Sequence, residues 1–66
     1  MEVKINGSVN DIQDNSSIKD VLTARKLPED ILIIEVNGEI IKREKWESCI
    51  LRPQDTIEII RIIGGG

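Results

Sequence analysis

The 66-residue chain has room for a single domain, and a chain of this size buries only about 60% of the surface it exposes when unfolded. Its 39% apolar residues are chiefly isoleucine, valine and leucine with one tryptophan, Trp46, which fills a small core and leaves nothing to enclose a substrate cavity. A net charge of −3 argues against a nucleic-acid footprint, and with no histidine and one cysteine, Cys49, a cysteine–histidine metal site and an internal disulfide are both excluded.

Val3 and Ile5 alternate with Glu2, Lys4 and Asn6, which predicts a half-buried first strand. Asn6-Gly7 is a two-residue hairpin signal, because both central positions of that turn require positive φ, and Ser8 to Ile12 would return as the second strand. The cluster Asp14-Asn15-Ser16-Ser17 reads as a turn, with Ser17 as N-cap and Asp20 in the first helical turn. Ile18, Val21 and Leu22 then fall on one helical face, and Pro28 is expected to end the helix. Leu32 to Asn37 forms a third strand with Leu32, Ile34 and Val36 on one side. Asn37-Gly38 repeats the hairpin signal, and Glu39-Ile40-Ile41 returns.

The basic group Lys42, Arg43 and Lys45 is broken by Glu44 and reads as a solvated turn, followed by Trp46 as a hydrophobic anchor. Arg52-Pro53-Gln54-Asp55 turns the chain into a last strand, with Asp55 capping that turn. Two hairpins flanking one helix predict an α+β, β-grasp fold. A mixed sheet of four to five strands packs on the helix, with the first and last strands parallel at its centre and a right-handed crossover. The domain is expected to span residues 1–63, with 64–66 as a flexible glycine tail. No secretory leader opens the sequence and the isoleucine run is too short to span a membrane, so a soluble, cytoplasmic protein is expected.

The chain closes on Gly64-Gly65-Gly66, directly after Thr56-Ile57-Glu58-Ile59-Ile60-Arg61-Ile62-Ile63. Without Cβ atoms, such an arm can be threaded into a channel where any side chain would clash. The reading that follows is that the reactive group of this protein is its own terminal carboxylate; the alternative is a frayed end.

The sequence resembles the ThiS family, the small sulfur carriers of thiamin biosynthesis within the ubiquitin-like β-grasp group. The resemblance covers the whole chain. It rests on Val36-Asn37-Gly38-Glu39-Ile40-Ile41, on Arg43-Glu44-Lys45-Trp46, on Asp55 leading into Ile57-Glu58-Ile59, and on the glycine terminus. Lys42 departs from the family, where proline often precedes the arginine, as does Arg52-Pro53-Gln54 in place of a glycine-bearing turn. The resemblance implies that Gly66 becomes a thiocarboxylate whose sulfur goes to a ThiG-type thiazole synthase. It also implies a ThiF-type adenylyltransferase as partner and a sulfur donor such as a cysteine desulfurase relay.

The chemistry of the terminus agrees with that expectation. An α-carboxyl group titrates at about 3.3–3.7, so Gly66 is a carboxylate and a poor electrophile until activated. Attack on the α-phosphate of ATP would activate it, and phosphoryl chemistry of that kind needs cations and magnesium around the phosphates. This chain has no glycine-rich phosphate loop followed by lysine. It is therefore read as a protein co-substrate rather than an enzyme. It would bind no cofactor or metal itself, ATP and magnesium being held by the adenylyltransferase, with Gly64 and Gly65 entering that enzyme's active site.

Docking must offset the entropy of ordering three glycines, about 1–2 kcal/mol for each residue's backbone. Ile57 and Ile59 should face the core, whereas Ile60, Ile62 and, on the third strand, Ile33 should face outward as a partner-binding patch. Each contributes on the order of 1.5–3 kcal/mol when buried against a partner. Cys49, between Ser48 and Ile50, is expected to be a small buried hydrophobe without a role in sulfur transfer. A free monomer is expected, with no nucleic-acid or membrane partner. Two other functions share the tail: a sulfur carrier for another pathway, such as the small subunit of molybdopterin synthase, and a ubiquitin-like modifier conjugated to lysine. A plain β-grasp interaction module with an inert tail is a further alternative.

Overall fold

The computed structural model describes residues 1–62; the three glycines and Ile63 lie outside them. Along the chain come β1 (Glu2–Ile5), β2 (Ser8–Asp11), α1 (Ile18–Ala24), β3 (Leu32–Val36), β4 (Glu39–Ile41) and β5 (Thr56–Arg61). The strands form one mixed sheet in the order β2-β1-β5-β3-β4. β1 and β5 are parallel, and every other neighbouring pair is antiparallel. This is the predicted β-grasp arrangement, with the last strand inserted between the two hairpins.

Both hairpins turn on the expected dipeptides. Asn6 and Gly7 have φ of 50° and 83°, and Asn37 and Gly38 have 52° and 84°, as a type I′ turn requires. A Cβ at Gly7 or Gly38 would meet nothing within 4 Å, so backbone conformation alone sets the preference for glycine there. Asn37 therefore belongs to the turn, and β3 ends at Val36 rather than at Asn37. Likewise β2 stops at Asp11, although the Ile12 amide still donates to the Met1 carbonyl at 2.9 Å.

The helix begins where predicted. Ser17 Oγ accepts from the Asp20 amide at 3.0 Å while Asp20 Oδ2 accepts from the Ser17 amide at 2.9 Å, a reciprocal capping box. The two preceding orphan donors are satisfied from the long loop: Ile18 N–H bonds the Cys49 carbonyl and Lys19 N–H bonds the Trp46 carbonyl, each at 3.1 Å.

The helix ends earlier than the sequence reading placed it. Lys26 enters the left-handed region at φ 56°, and its amide bonds the Thr23 carbonyl at 3.0 Å. Leu27 N–H reaches back to the Leu22 carbonyl at 3.1 Å, which completes a Schellman stop. Pro28 does not terminate the helix; it caps a separate 3-10 turn over Glu29–Ile31.

Val3 and Ile5 from β1, Leu32 and Ile34 from β3, and Ile57 from β5 meet Ile18, Val21 and Leu22 of α1, with Trp46 and Leu51 closing the end of the core. Burial of each such side chain contributes about 1.5–3 kcal/mol, and Ile34 at 0% exposure is the most completely buried. Trp46 anchors its loop as predicted, with Nε1 donating to the Ile41 carbonyl at 2.8 Å. Among the described residues no helix is long and apolar enough to cross a membrane, and no group of three or more acidic or cysteine side chains is placed to hold a metal ion.

Candidate functional site

β5 leads directly into the glycine terminus, so what holds β5 governs where residues 63–66 begin. It pairs with β1 on one side and, over five residues from Leu32↔Arg61 to Val36↔Ile57, with β3 on the other. β1 ends after Ile5, and past that point the Asn6 side chain takes over the pairing. Its Oδ1 accepts from the Ile59 amide at 2.7 Å and its Nδ2 donates to the Ile59 carbonyl at 3.3 Å.

The second asparagine grips the other end of the strand. Asn37 Oδ1 accepts from Thr56 N–H at 3.0 Å, its own amide donates to the Thr56 carbonyl at 2.7 Å, and its Nδ2 donates to Asp55 Oδ1 at 3.0 Å. Asp55 Oδ2 in turn accepts from Arg52 N–H at 2.8 Å, the turn-capping role expected of it. Beyond the strand, Ile62 N–H donates to the Ile31 carbonyl at 2.7 Å, so the backbone is fixed as far as the last described residue. The two asparagine side chains were not anticipated. The Asn-Gly signal was legible for its turn, but the partner strand that each amide bonds lies 53 and 19 residues away.

The alternation along β5 separates two faces as predicted. Ile57 is 2% exposed and Ile59 packs against the core, whereas Ile60 and Ile62 are 42% and 50% exposed on the opposite face. Ile33 is half-buried and sits directly opposite Ile60 in the register, so these two form a cross-strand pair on the open face. Ile40, paired with Glu35, adds an exposed isoleucine to the same face that the sequence reading did not include. Gly64, Gly65 and Gly66 lie outside the described residues.

Two other sequence candidates stand apart from this face. Lys42 precedes a 3-10 turn over Arg43–Lys45 with no buried residue, which agrees with a solvated turn. Within it Arg43 approaches Glu29 at 3.7 Å, and Lys19 reaches the same carboxylate at 3.4 Å. Cys49 is half-buried against the core rather than fully buried. Burial pushes its thiol pKa up, with Asp55 and Glu39 adding to the effect, so little thiolate forms at neutral pH. If sulfur is loaded at Gly66 as the resemblance implies, Cys49→Ala is expected to be loaded as fully as the parent, with a small loss of stability measured by thermal melting. Failure of a folded Cys49→Ala protein to be loaded would give the thiol a chemical role.

A β-grasp sheet whose central strand runs on into three glycines is the arrangement that comparison with known proteins can place. The family model described as ThiS family matches residues 3–66. The chain belongs to the ThiS family. It is 39% identical over 54 residues to the sulfur carrier protein ThiS of Bacillus subtilis, covering 82% of each chain. It is also 31% identical over 62 residues to the uncharacterized protein ycf40 of Trieres chinensis, covering 94% of this chain and 85% of that one. The crystal structure of the thiamine biosynthesis protein ThiS from Geobacter metallireducens superposes with a TM-score of 0.87 at 25% identity, covering 100% of both chains. The ThiS-family match thus takes in the sheet from Val3 onward together with the glycine terminus that follows β5.

Proposed function

We propose that this ThiS-family chain is a sulfur carrier whose Gly66 carboxylate is adenylated and then converted to a thiocarboxylate that supplies sulfur for thiazole formation in thiamin biosynthesis. The observation that carries this reading is the family match, which runs through residue 66 and so includes the glycine terminus. The B. subtilis relative is named as a sulfur carrier.

In the first step a Gly66 carboxylate oxygen attacks the α-phosphorus of ATP. Pyrophosphate leaves, and a mixed carboxylic–phosphoric anhydride remains. A persulfide from the donor relay then attacks the carbonyl carbon and AMP departs; a thiol cleaves the acyl disulfide so formed, ending as a disulfide with the donor cysteine, and the thiocarboxylate is left with sulfur in place of one oxygen. The carrier contributes no acid, base or metal to either step. ATP and magnesium belong to a ThiF-type adenylyltransferase, whose cations stabilise the charge that develops on the phosphates.

What this chain's residues do is bind and position. Ile33, Ile60 and Ile62 provide apolar area for docking, offsetting the entropy of ordering the glycines. The clasps of Asn6 and Asn37 on β5 keep the start of the terminal segment in a fixed relation to that face. Gly64 and Gly65 let the terminus pass into the partner's active site, and a ThiG-type synthase receives the loaded carrier. The test is ATP-dependent pyrophosphate release with a ThiF-type enzyme, followed by loading from a sulfur source. Release that depends on the carrier and on Gly66 is expected; no release from an enzyme that is active on its own carrier contradicts the proposal.

A further inference from the structure

β5 is paired on both sides for only part of its length. Successive strand residues turn their amide and carbonyl alternately to the two neighbours. Thr56 and Ile62 turn theirs to the β3 side, where the Thr56 carbonyl accepts from Asn37 N–H and Ile62 N–H donates to the Ile31 carbonyl, each at 2.7 Å. Ile57 and Ile59 turn theirs to the β1 side. There the Ile57 carbonyl accepts from Asn6 N–H at 2.9 Å, and the Asn6 side chain takes both groups of Ile59. Arg61 has the same parity as Ile57 and Ile59. By that point β1 has turned back through Asn6-Gly7, and among the described residues nothing pairs with the Arg61 amide or carbonyl on that side. Arg61 is exposed, yet it remains within β5, with Leu32 opposite it in the register.

From this geometry we infer that the open flank of β5 at Arg61 is a strand-addition site, filled in the complex by an extended backbone segment of the adenylating enzyme. The inference rests on the reading of Gly66 as the adenylated group. An unpaired strand edge is a template for a further strand, and strand addition draws its affinity from main-chain hydrogen bonds.

The occupant follows from the residues on either side of the flank. Gly64, Gly65 and Gly66 have no side chains, so their backbone amides and carbonyls and the terminal carboxylate are all that a partner can recognise there. An enzyme that takes hold of the terminus therefore reads backbone, and Arg61 is where such pairing can begin on a strand already extended. Ile60 and Ile62, on either side of Arg61 in sequence, are exposed on the open face, so an added strand is continuous with the docking patch proposed above. A second copy of the chain is disfavoured. Two-fold antiparallel pairing centred on Arg61 sets two arginines directly opposite each other, and like charges so placed destabilise a sheet. β2 and β4 form the outer edges of the sheet, and neither runs into the terminus.

Amide hydrogen exchange, followed residue by residue by NMR, is compared for the free carrier and its complex with a ThiF-type adenylyltransferase. In the free carrier the Arg61 amide is expected to exchange at least about tenfold faster than that of Ile59, which donates to Asn6 Oδ1 at 2.7 Å. In the complex the Arg61 amide should slow by at least about tenfold. The second probe is a carrier whose Arg61 N–H is replaced by an ester oxygen, with the arginine side chain kept. Cys49 supplies the junction for ligating a synthetic 49–66 peptide. The Kd of this variant for the enzyme should rise by about threefold to tenfold. Thermal melting shows whether it is folded, and the exchange measurement decides alone if it is not. Pyrophosphate release is recorded for the parent, and its sedimentation is measured.

An Arg61 amide that exchanges as slowly as Ile59 in the free carrier, or that is not slowed in the complex, overturns the inference while leaving the adenylation reading intact. So does a folded ester variant that binds as the parent does. A free carrier that sediments as a dimer, with its Arg61 amide protected, would give the flank to a second copy and overturns it too. If the parent supports no pyrophosphate release with an enzyme active on its own carrier, the adenylation reading fails and this inference with it.

Discussion

Gly65→Val is expected to dock on the adenylyltransferase with an affinity close to the parent's and to lose adenylation by at least about a hundredfold. The body proposed to supply the binding energy is untouched, because Ile33 and Ile60 lie on the folded sheet and Ile62 directly follows it. Valine, however, is bulky and stiff at χ1, and in the proposed complex the terminus passes through a channel shaped for glycine to bring its carboxylate to the α-phosphorus. In-line attack tolerates little displacement, and a misplacement of about 1 Å can cost two orders of magnitude in rate. Binding measured by calorimetry and turnover measured by pyrophosphate release separate the two effects. Normal adenylation of Gly65→Val would show that the channel is not narrow and that the glycines serve another purpose.

The converse result is expected for Ile60→Ser/Ile62→Ser. Each isoleucine buried at an interface contributes about 1.5–3 kcal/mol, so losing both should weaken docking by several kcal/mol, or at least about a hundredfold in Kd. Stability should change little, since the two side chains are 42% and 50% exposed in the free protein. Ile57→Ser on the other face is the control. That side chain is 2% exposed, and a hydroxyl placed in the core next to Ile5 and Val36 should cost several kcal/mol of folding stability. A fold lost in the Ile60/Ile62 variant would mean that the open face is packed against something the free chain supplies.

The difference between these two faces was legible in the sequence because a strand alternates strictly and β5 has apolar residues at both parities. Ile57 and Ile59 match the inward positions, and Ile60 and Ile62 the outward ones. The two Asn-Gly turns and the Ser17 cap were legible because each is written in residues that are neighbours in the chain, whereas the central place of the last strand followed from the β-grasp pattern of two hairpins flanking one helix.

What was not legible depends on distance along the chain or on backbone conformation that lacks a residue signature. Lys26 adopts the left-handed conformation usually left to glycine, so Pro28 was the only visible stop and the helix end was misplaced. The Asn6 clasp on Ile59 joins residues 53 positions apart. The role proposed for the Gly66 carboxylate rests on the glycine terminus and the family match, and the proposed docking face on the alternation of the strand that precedes it.

The central claim is that sulfur ends on Gly66, and intact-mass spectrometry tests it most directly. The protein is incubated with ATP, magnesium, a ThiF-type adenylyltransferase and a sulfur source, and fragmentation locates the change. A mass gain equal to one sulfur replacing one oxygen, confined to the C-terminal residue and absent without ATP, is the predicted result. An unchanged mass with an enzyme that loads its own carrier under the same conditions, or a gain found at Cys49 instead of Gly66, would contradict it.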